Sequence, residues 1–169
     1  FTADADDRAD KVLGFSSDGT TLTTTTTFNP AGGDTSQFTY STTTTDSDPG
    51  SGIIRFNNTT LASATIAYVD DLDALGTDVS AWVQSFDDVT GNTTNRGRIR
   101  IHKAGNLAIW AVYKVNAAVT DASGYTKIPL AYIDGAGSFT DEDSIFLSFT
   151  ASGEDGAIPG YYYKFDTGT

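Results

Sequence analysis

Between Gln37 and Gly153 apolar residues recur at every second position, in short runs cut off by strong turn sequences. Phe38 and Tyr40 share one side with Thr39 and Ser41 on the other, Ile54 and Phe56 share a face, and Ala64, Ile66 and Tyr68 alternate with Thr65 and Ala67. A period of two is the signature of extended strands with one buried face, so three strands are expected by Val69. Further on, Ile99 and Ile101 alternate with Arg98, Arg100 and His102, which predicts a strand with one charged face. Then "AGN" leads into a long strand on which Leu107, Ile109, Ala111, Tyr113 and Val115 share a face. Ala108, Trp110 and Val112 lie on its other face, which predicts a central strand covered on both sides. "TDASG" turns the chain into Thr126, Ile128, Leu130 and Tyr132, and "DGAGSFTDED" into Ile145, Leu147 and Phe149. The composition agrees. Thr, which suits pleated strands, dominates the polar residues, and of 22 acidic residues only Glu142 and Glu154 are Glu. The expected fold is mainly β, an antiparallel β-sandwich or small barrel.

One segment departs from this period. In "TDVSAWVQSFDD", Val79, Trp82, Val83 and Phe86 fall at i, i+3, i+4 and i+7, one face of a short amphipathic helix. Thr77 or Asp78 is its expected N-cap, and Trp82 reads as a core anchor. Ahead of the main pattern, Val12-Leu13-Gly14-Phe15, the turn Ser17-Asp18-Gly19 and a Thr-rich return form a β-hairpin. The turn-rich "NPAGGD" then marks a boundary. The expected organisation is a hairpin and linker over residues 1–36, a β module over 37–152, and a linker over 153–169 that begins a following repeat. The last part rests on an echo: Tyr163-Lys164-Phe165-Asp166-Thr167 lines up with Phe38-Thr39-Tyr40-Ser41-Thr42. With no Met in the chain, the sequence reads as a processed product or a piece of something longer.

Charge and composition remove several functions. A net charge of −12 argues against nucleic acid, which needs clustered Lys and Arg, and against an acidic membrane surface. No apolar run approaches the ~20 residues of a membrane span, and with no Cys there are no disulfides. "DSDPGSGIIRFNN" (residues 46–58) has the glycines of a phosphate loop but neither its Lys nor a following helix. Asp48-Pro49-Gly50 is turn chemistry instead, leading into a strand. His102 is the only histidine, so a Ser-His-Asp triad would hinge on it alone, and a His-rich zinc site is excluded. Three acidic clusters, Asp70-Asp71-Asp73, Asp87-Asp88 and Asp141-Glu142-Asp143, could hold calcium or hydrolyse glycosides. None has EF-hand spacing and all lie at element ends, so solvated turns are the simpler reading. Asn57, Asn58 and Asn92 head Asn-x-Thr sequons, which matter only in a eukaryotic secretory setting. No catalytic, cofactor or metal residue is singled out. An exposed Trp110, or the run Tyr161, Tyr162 and Tyr163, could stack on glycans.

Taken in order, "TTDSDPGSGIIRFNN", "ATIAYVDDLDALGTDVSAWVQSFDD", "GRIRIHKAGN" and "YTKIPLAYIDGAGSFTDEDSIFLSF" resemble a module of bacteriophage virion proteins, mostly tail fibres and similar appendages. "DRADKVLGF" with "SSDGT" is similar to a short hairpin that recurs in phage fibre proteins. The resemblance covers residues 37–153 and carries no motif of known chemistry. It implies a non-enzymatic structural component that spaces or presents a host-attachment tip on the phage particle. It also implies a homo-oligomer, a trimer in a fibre, and other virion proteins as partners. Such modules often lead into collagen-like sequence, but "SGEDGAIPG" is too short and out of register for a triple helix. The alternatives are a carbohydrate-binding adhesin that meets host surface glycans, and a capsid decoration protein.

Overall fold

The computed structural model describes residues 12–15, 22–25 and 34–153. The chain divides into two compact units, Phe1–Gly32 and Gly33–Thr169. In the first, β1 (Val12–Phe15) pairs antiparallel with β2 (Leu22–Thr25), Phe15 opposite Leu22, as expected of a hairpin. Its turn at Ser17-Asp18-Gly19 lies outside the described residues.

The second unit is built from β3 (Thr35–Ser41), β4 (Ile53–Phe56), β5 (Ile66–Asp70), β6 (Gly97–Lys103), β7 (Asn106–Val115), β8 (Thr120–Asp121), β9 (Tyr125–Ala136) and β10 (Ser144–Ala151). They form one sheet in the order β5-β4-β3-β10-β6-β7-β9-β8, and β5 also pairs with β9. That last pairing closes the sheet into a near-ring. Closure is possible because β9 is twelve residues long and uses its two ends differently. Its first half runs beside β5, with Asp70 opposite Tyr125, and its second half beside β7, with Val115 opposite Leu130. A ring removes most of the unpaired strand edge that an open sheet would present.

The inward residues are those that the alternation singles out. Phe38, Tyr40, Ile54, Phe56, Ile99, Ile101, Tyr113 and Ile145 are buried in one cluster. Phe56 and Tyr113 stack at 5.5 Å, and the Tyr113 hydroxyl donates to the Leu61 carbonyl at 3.0 Å, so this buried polar atom is satisfied. Two details differ from expectation. Leu107 is exposed, because β7 has already left the core at its first turn-proximal residues. The other face of β7 is not covered: Ala108 is exposed, and Trp110 and Val112 are only half-buried. A closed single sheet has one interior, so a strand can be central in the order and still keep one face open.

All pairings are antiparallel except β3 with β4, where Thr39, Tyr40 and Ser41 lie beside Ile53, Ile54 and Arg55. A parallel pair needs a crossover, and residues 42–52 supply it without a helix. This is the "DSDPGSG" stretch. Asp48 Oδ1 accepts from the Gly50 N–H at 2.8 Å, and Gly50 and Gly52 have φ of 92° and 73°. A Cβ on Gly52 would stand 2.9 Å from Ala74 Cα, so the residue serves both a left-handed turn and a close backbone approach. Arg55, buried, reaches from β4 to the carbonyls of Ser47 and Asp48, both at 2.6 Å. The sequence reading of turn then strand is what the chain does here.

The amphipathic segment forms α1 (Ser80–Gln84), continued by a 3-10 turn (Ser85–Asp87). Val83 and Phe86 are buried, Val79 and Trp82 pack against the core, and Phe86 stacks on Phe149 at 4.1 Å. The N-cap is Val79, not Thr77 or Asp78. The Val79 N–H is drawn to the Asp71 carbonyl at 2.8 Å, so the first helical carbonyl is its own, bonded by Val83 at 3.0 Å. Asp78 works one residue earlier, accepting from the Ser80 N–H at 3.0 Å and its hydroxyl at 2.7 Å.

Candidate functional site

The strand register brings together residues that are far apart in sequence. Phe146 of β10 lies opposite His102 of β6, and His102 lies opposite Trp110 of β7. Each is flanked along its strand by a buried neighbour, Ile145 and Leu147, Ile101, and Ala111, so all three point to the outer face. His102 stacks on Phe146 with ring centroids 5.4 Å apart and planes 29° from parallel. The Arg100 guanidinium sits over the Trp110 ring at 5.9 Å, and its Nη1 lies 3.4 Å from His102 Nδ1. The result is a row of half-buried aromatic side chains in which Phe146 and His102 stack on each other and Arg100 lies over Trp110.

The charges on this face are unusual for so acidic a chain. Arg98, Arg100 and Lys114 carry three of its ten Lys and Arg residues. Arg98 lies directly opposite Lys114. The ion pairs among the described residues are elsewhere: Lys103 with Asp143 at 2.5 Å, and Lys127 with Asp46 at 2.8 Å. Asp134, opposite Val112, turns its carboxylate back to the Gly135 N–H at 2.8 Å. His102 is held below its ordinary pKa by burial first and by repulsion from Arg100 second. Its ring is therefore neutral near pH 7, an aromatic surface more than a charge.

Trp110 lies on the face of the long strand that was expected to be covered, and is half-buried there. Tyr161, Tyr162 and Tyr163 lie outside the described residues. Sequence reasoning treated His102 as an isolated surface histidine and did not single out Phe146 or Arg100. The signal was present as outward positions on three strands, but only the register shows that they align.

Carboxylates of all three acidic clusters accept backbone N–H groups, within turns for Asp70 and Asp73 and from distant segments for Asp87 and Asp141. Asp70 Oδ1 accepts from Leu72 N–H at 2.9 Å and Gly52 N–H at 3.2 Å, and Asp73 Oδ1 accepts from Leu75 and Thr77, both at 2.9 Å. Asp87 Oδ2 accepts from Val119 N–H at 2.9 Å, and Asp141 Oδ1 accepts from Thr42 N–H at 2.8 Å. Among the described residues no group of three potential ligands is placed to hold a metal ion. A separate pocket of about 340 Å³ opens between Thr59, Thr60, Leu61, Tyr132 and Ser138; hydroxyls and backbone line it, without a charged side chain. Asn57 is committed to structure: its Oδ1 accepts from the N–H of Thr65 at 2.9 Å and of Ile66 at 3.1 Å.

No family model, no curated protein and no solved structure matches this chain.

Proposed function

We propose that the chain is a non-enzymatic module of a phage virion appendage that presents a surface to the host, as a pendant from the chain that carries it. The phage attribution rests on the sequence resemblance. The choice of presenting over spacing rests on one observation. β3 enters the ring beside the point where β10 leaves it: Thr35 lies opposite Ser148, and the Phe149 N–H donates to the Asp34 carbonyl at 3.2 Å. A link in series takes the chain in at one end and out at the other. A module whose entry and exit lie together hangs to the side, as inserted domains do. The homo-oligomer that the resemblance implies, a trimer, belongs to the same proposal, and so does the location on the virion.

The rival reading, a carbohydrate-binding module, is favoured by a specific observation, the outward row of Phe146, His102 and Trp110. Aromatic side chains suit the apolar C–H groups of sugar rings. The two readings are compatible, since a pendant that presents this face would be an adhesin.

Antibodies raised against the folded chain test the proposal. They are expected to label a tail appendage of the particle that carries it and to slow adsorption to the host. Labelling of the capsid shell would favour a decoration protein, and no labelling of any particle would sink the virion reading.

A further inference from the structure

We propose that the outer face of β10, β6 and β7 binds a saccharide that carries carboxylates, of the uronic- or sialic-acid type. Its sugar ring would pack against the part of Trp110 that Arg100 leaves uncovered and its carboxylate against Arg100, with Arg98 and Lys114 taking the next acidic residue along. The inference rests on the reading of this face as one that meets glycans.

Charge complementarity carries the argument. The chain has a net charge of −12, yet Arg98, Arg100 and Lys114 share one face and form no ion pair among the described residues. Folding does not ask for this. Like charges directly opposite on paired strands are destabilising, and Arg98 opposite Lys114 is such a pair. With so many carboxylates in the chain, partners for these cations could readily have been placed beside them. Among the described residues, Asp134 brings a carboxylate opposite Val112 from β9, and its Oδ1 is bonded to the Gly135 N–H.

The shape of the face narrows the ligand further. A neutral sugar would use Trp110 and leave the three cations idle. An acidic peptide would use the cations and leave the aromatic row idle. Nucleic acid carries a phosphate on every nucleotide and needs more clustered Lys and Arg than the three on this face. A carboxylated sugar ring uses both at once, because a guanidinium binds a carboxylate through two parallel N–H bonds and here stands next to an indole face. Arg100 is held in position by Trp110 at 5.9 Å and His102 at 3.4 Å, so little side-chain freedom is lost on binding.

The test uses the full chain and calorimetric titration with oligogalacturonate, its methyl ester, a hyaluronan oligosaccharide, sialyllactose and poly-glutamate. At least one free-acid saccharide is expected to bind, more weakly as salt rises. The methyl ester of oligogalacturonate should bind roughly tenfold more weakly than the free acid, as should Arg100→Gln and Trp110→Ala toward the saccharide that binds. Circular dichroism reports whether each variant is folded. Should Trp110→Ala unfold, Arg100→Gln decides, because it keeps most of the side-chain stem. Binding of oligogalacturonate that its ester matches, binding of the sugar that Arg100→Gln leaves unchanged, poly-glutamate binding as tight as the sugars, or no binding of any acidic sugar would each overturn the proposal. None of these results depends on where antibodies label a particle, so failure here is distinct from failure of the virion reading.

Discussion

His102 shows how a single outward residue can report on its surroundings. Burial and the neighbouring Arg100 lower its pKa from the ordinary 6.5, so the folded state resists protonation more than the unfolded chain does. Across that interval the unfolded state binds more protons, and stability therefore rises with pH. The contribution is complete above the ordinary value and is lost as pH falls toward the lowered one. Asp70 and Asp71 run the other way, raised by burial, and hold more protons when folded. Urea unfolding at pH 7 and pH 5 should show that His102→Gln flattens the pH dependence of stability. An identical dependence in the variant would mean that His102 does not contribute.

At the scale of elements, the crossover between β3 and β4 is the most demanding piece of backbone. Gly52 needs a left-handed φ and has Ala74 and Asp73 within 3.0 Å of where a Cβ would go. Gly105, in the β6–β7 turn, has a similar φ of 72° with nothing within 4 Å. Both Gly→Ala changes cost the left-handed strain, about 1–2 kcal/mol. Gly52→Ala must also push two backbone segments apart, for a total of roughly 3 kcal/mol or more. Thermal melts of the two variants should thus differ clearly, Gly52→Ala being the less stable. Equal melting temperatures would show that the crossover gives way more easily than its contacts imply. This comparison also shows what could be read from sequence. Asp48-Pro49-Gly50 announced a turn, and the alternation of Phe38 and Tyr40 or Ile54 and Phe56 announced strands, because local backbone preference and burial are written in adjacent residues. The face of α1 was legible for the same reason. The parallel pairing of β3 with β4, the two-sided use of β9 and the alignment of Phe146, His102 and Trp110 were not. Each depends on register between distant strands, for which the sequence carries no local mark.

For the whole molecule, the nearness of entry and exit makes a prediction about topology. A circular permutant that joins Asp34 to Ser152 by a short glycine-serine linker, with new ends opened at Gly105, should fold. The Gly105 site is open, and the ring keeps every pairing except the turn itself. Its melting temperature should fall by only a few degrees, for a change of about 1 kcal/mol. A permutant that fails to fold would contradict the placement of β3 against β10.

That same pairing sets the order in which the fold can be completed. Gln37 of β3 donates to Ser144 of β10 across 107 positions at 2.7 Å. β3 is the first strand of the ring to leave the ribosome, and one of its two neighbours is the last. Until β10 arrives, one edge of β3 waits unpaired, and its outward residues Thr35, Gln37, Thr39 and Ser41 are all polar. A polar outer row makes a waiting edge less prone to pair with a neighbouring nascent chain. Closure is then a single late event that locks the strands together, so a nick or truncation near β10 would undo the ring from the strand that was made first.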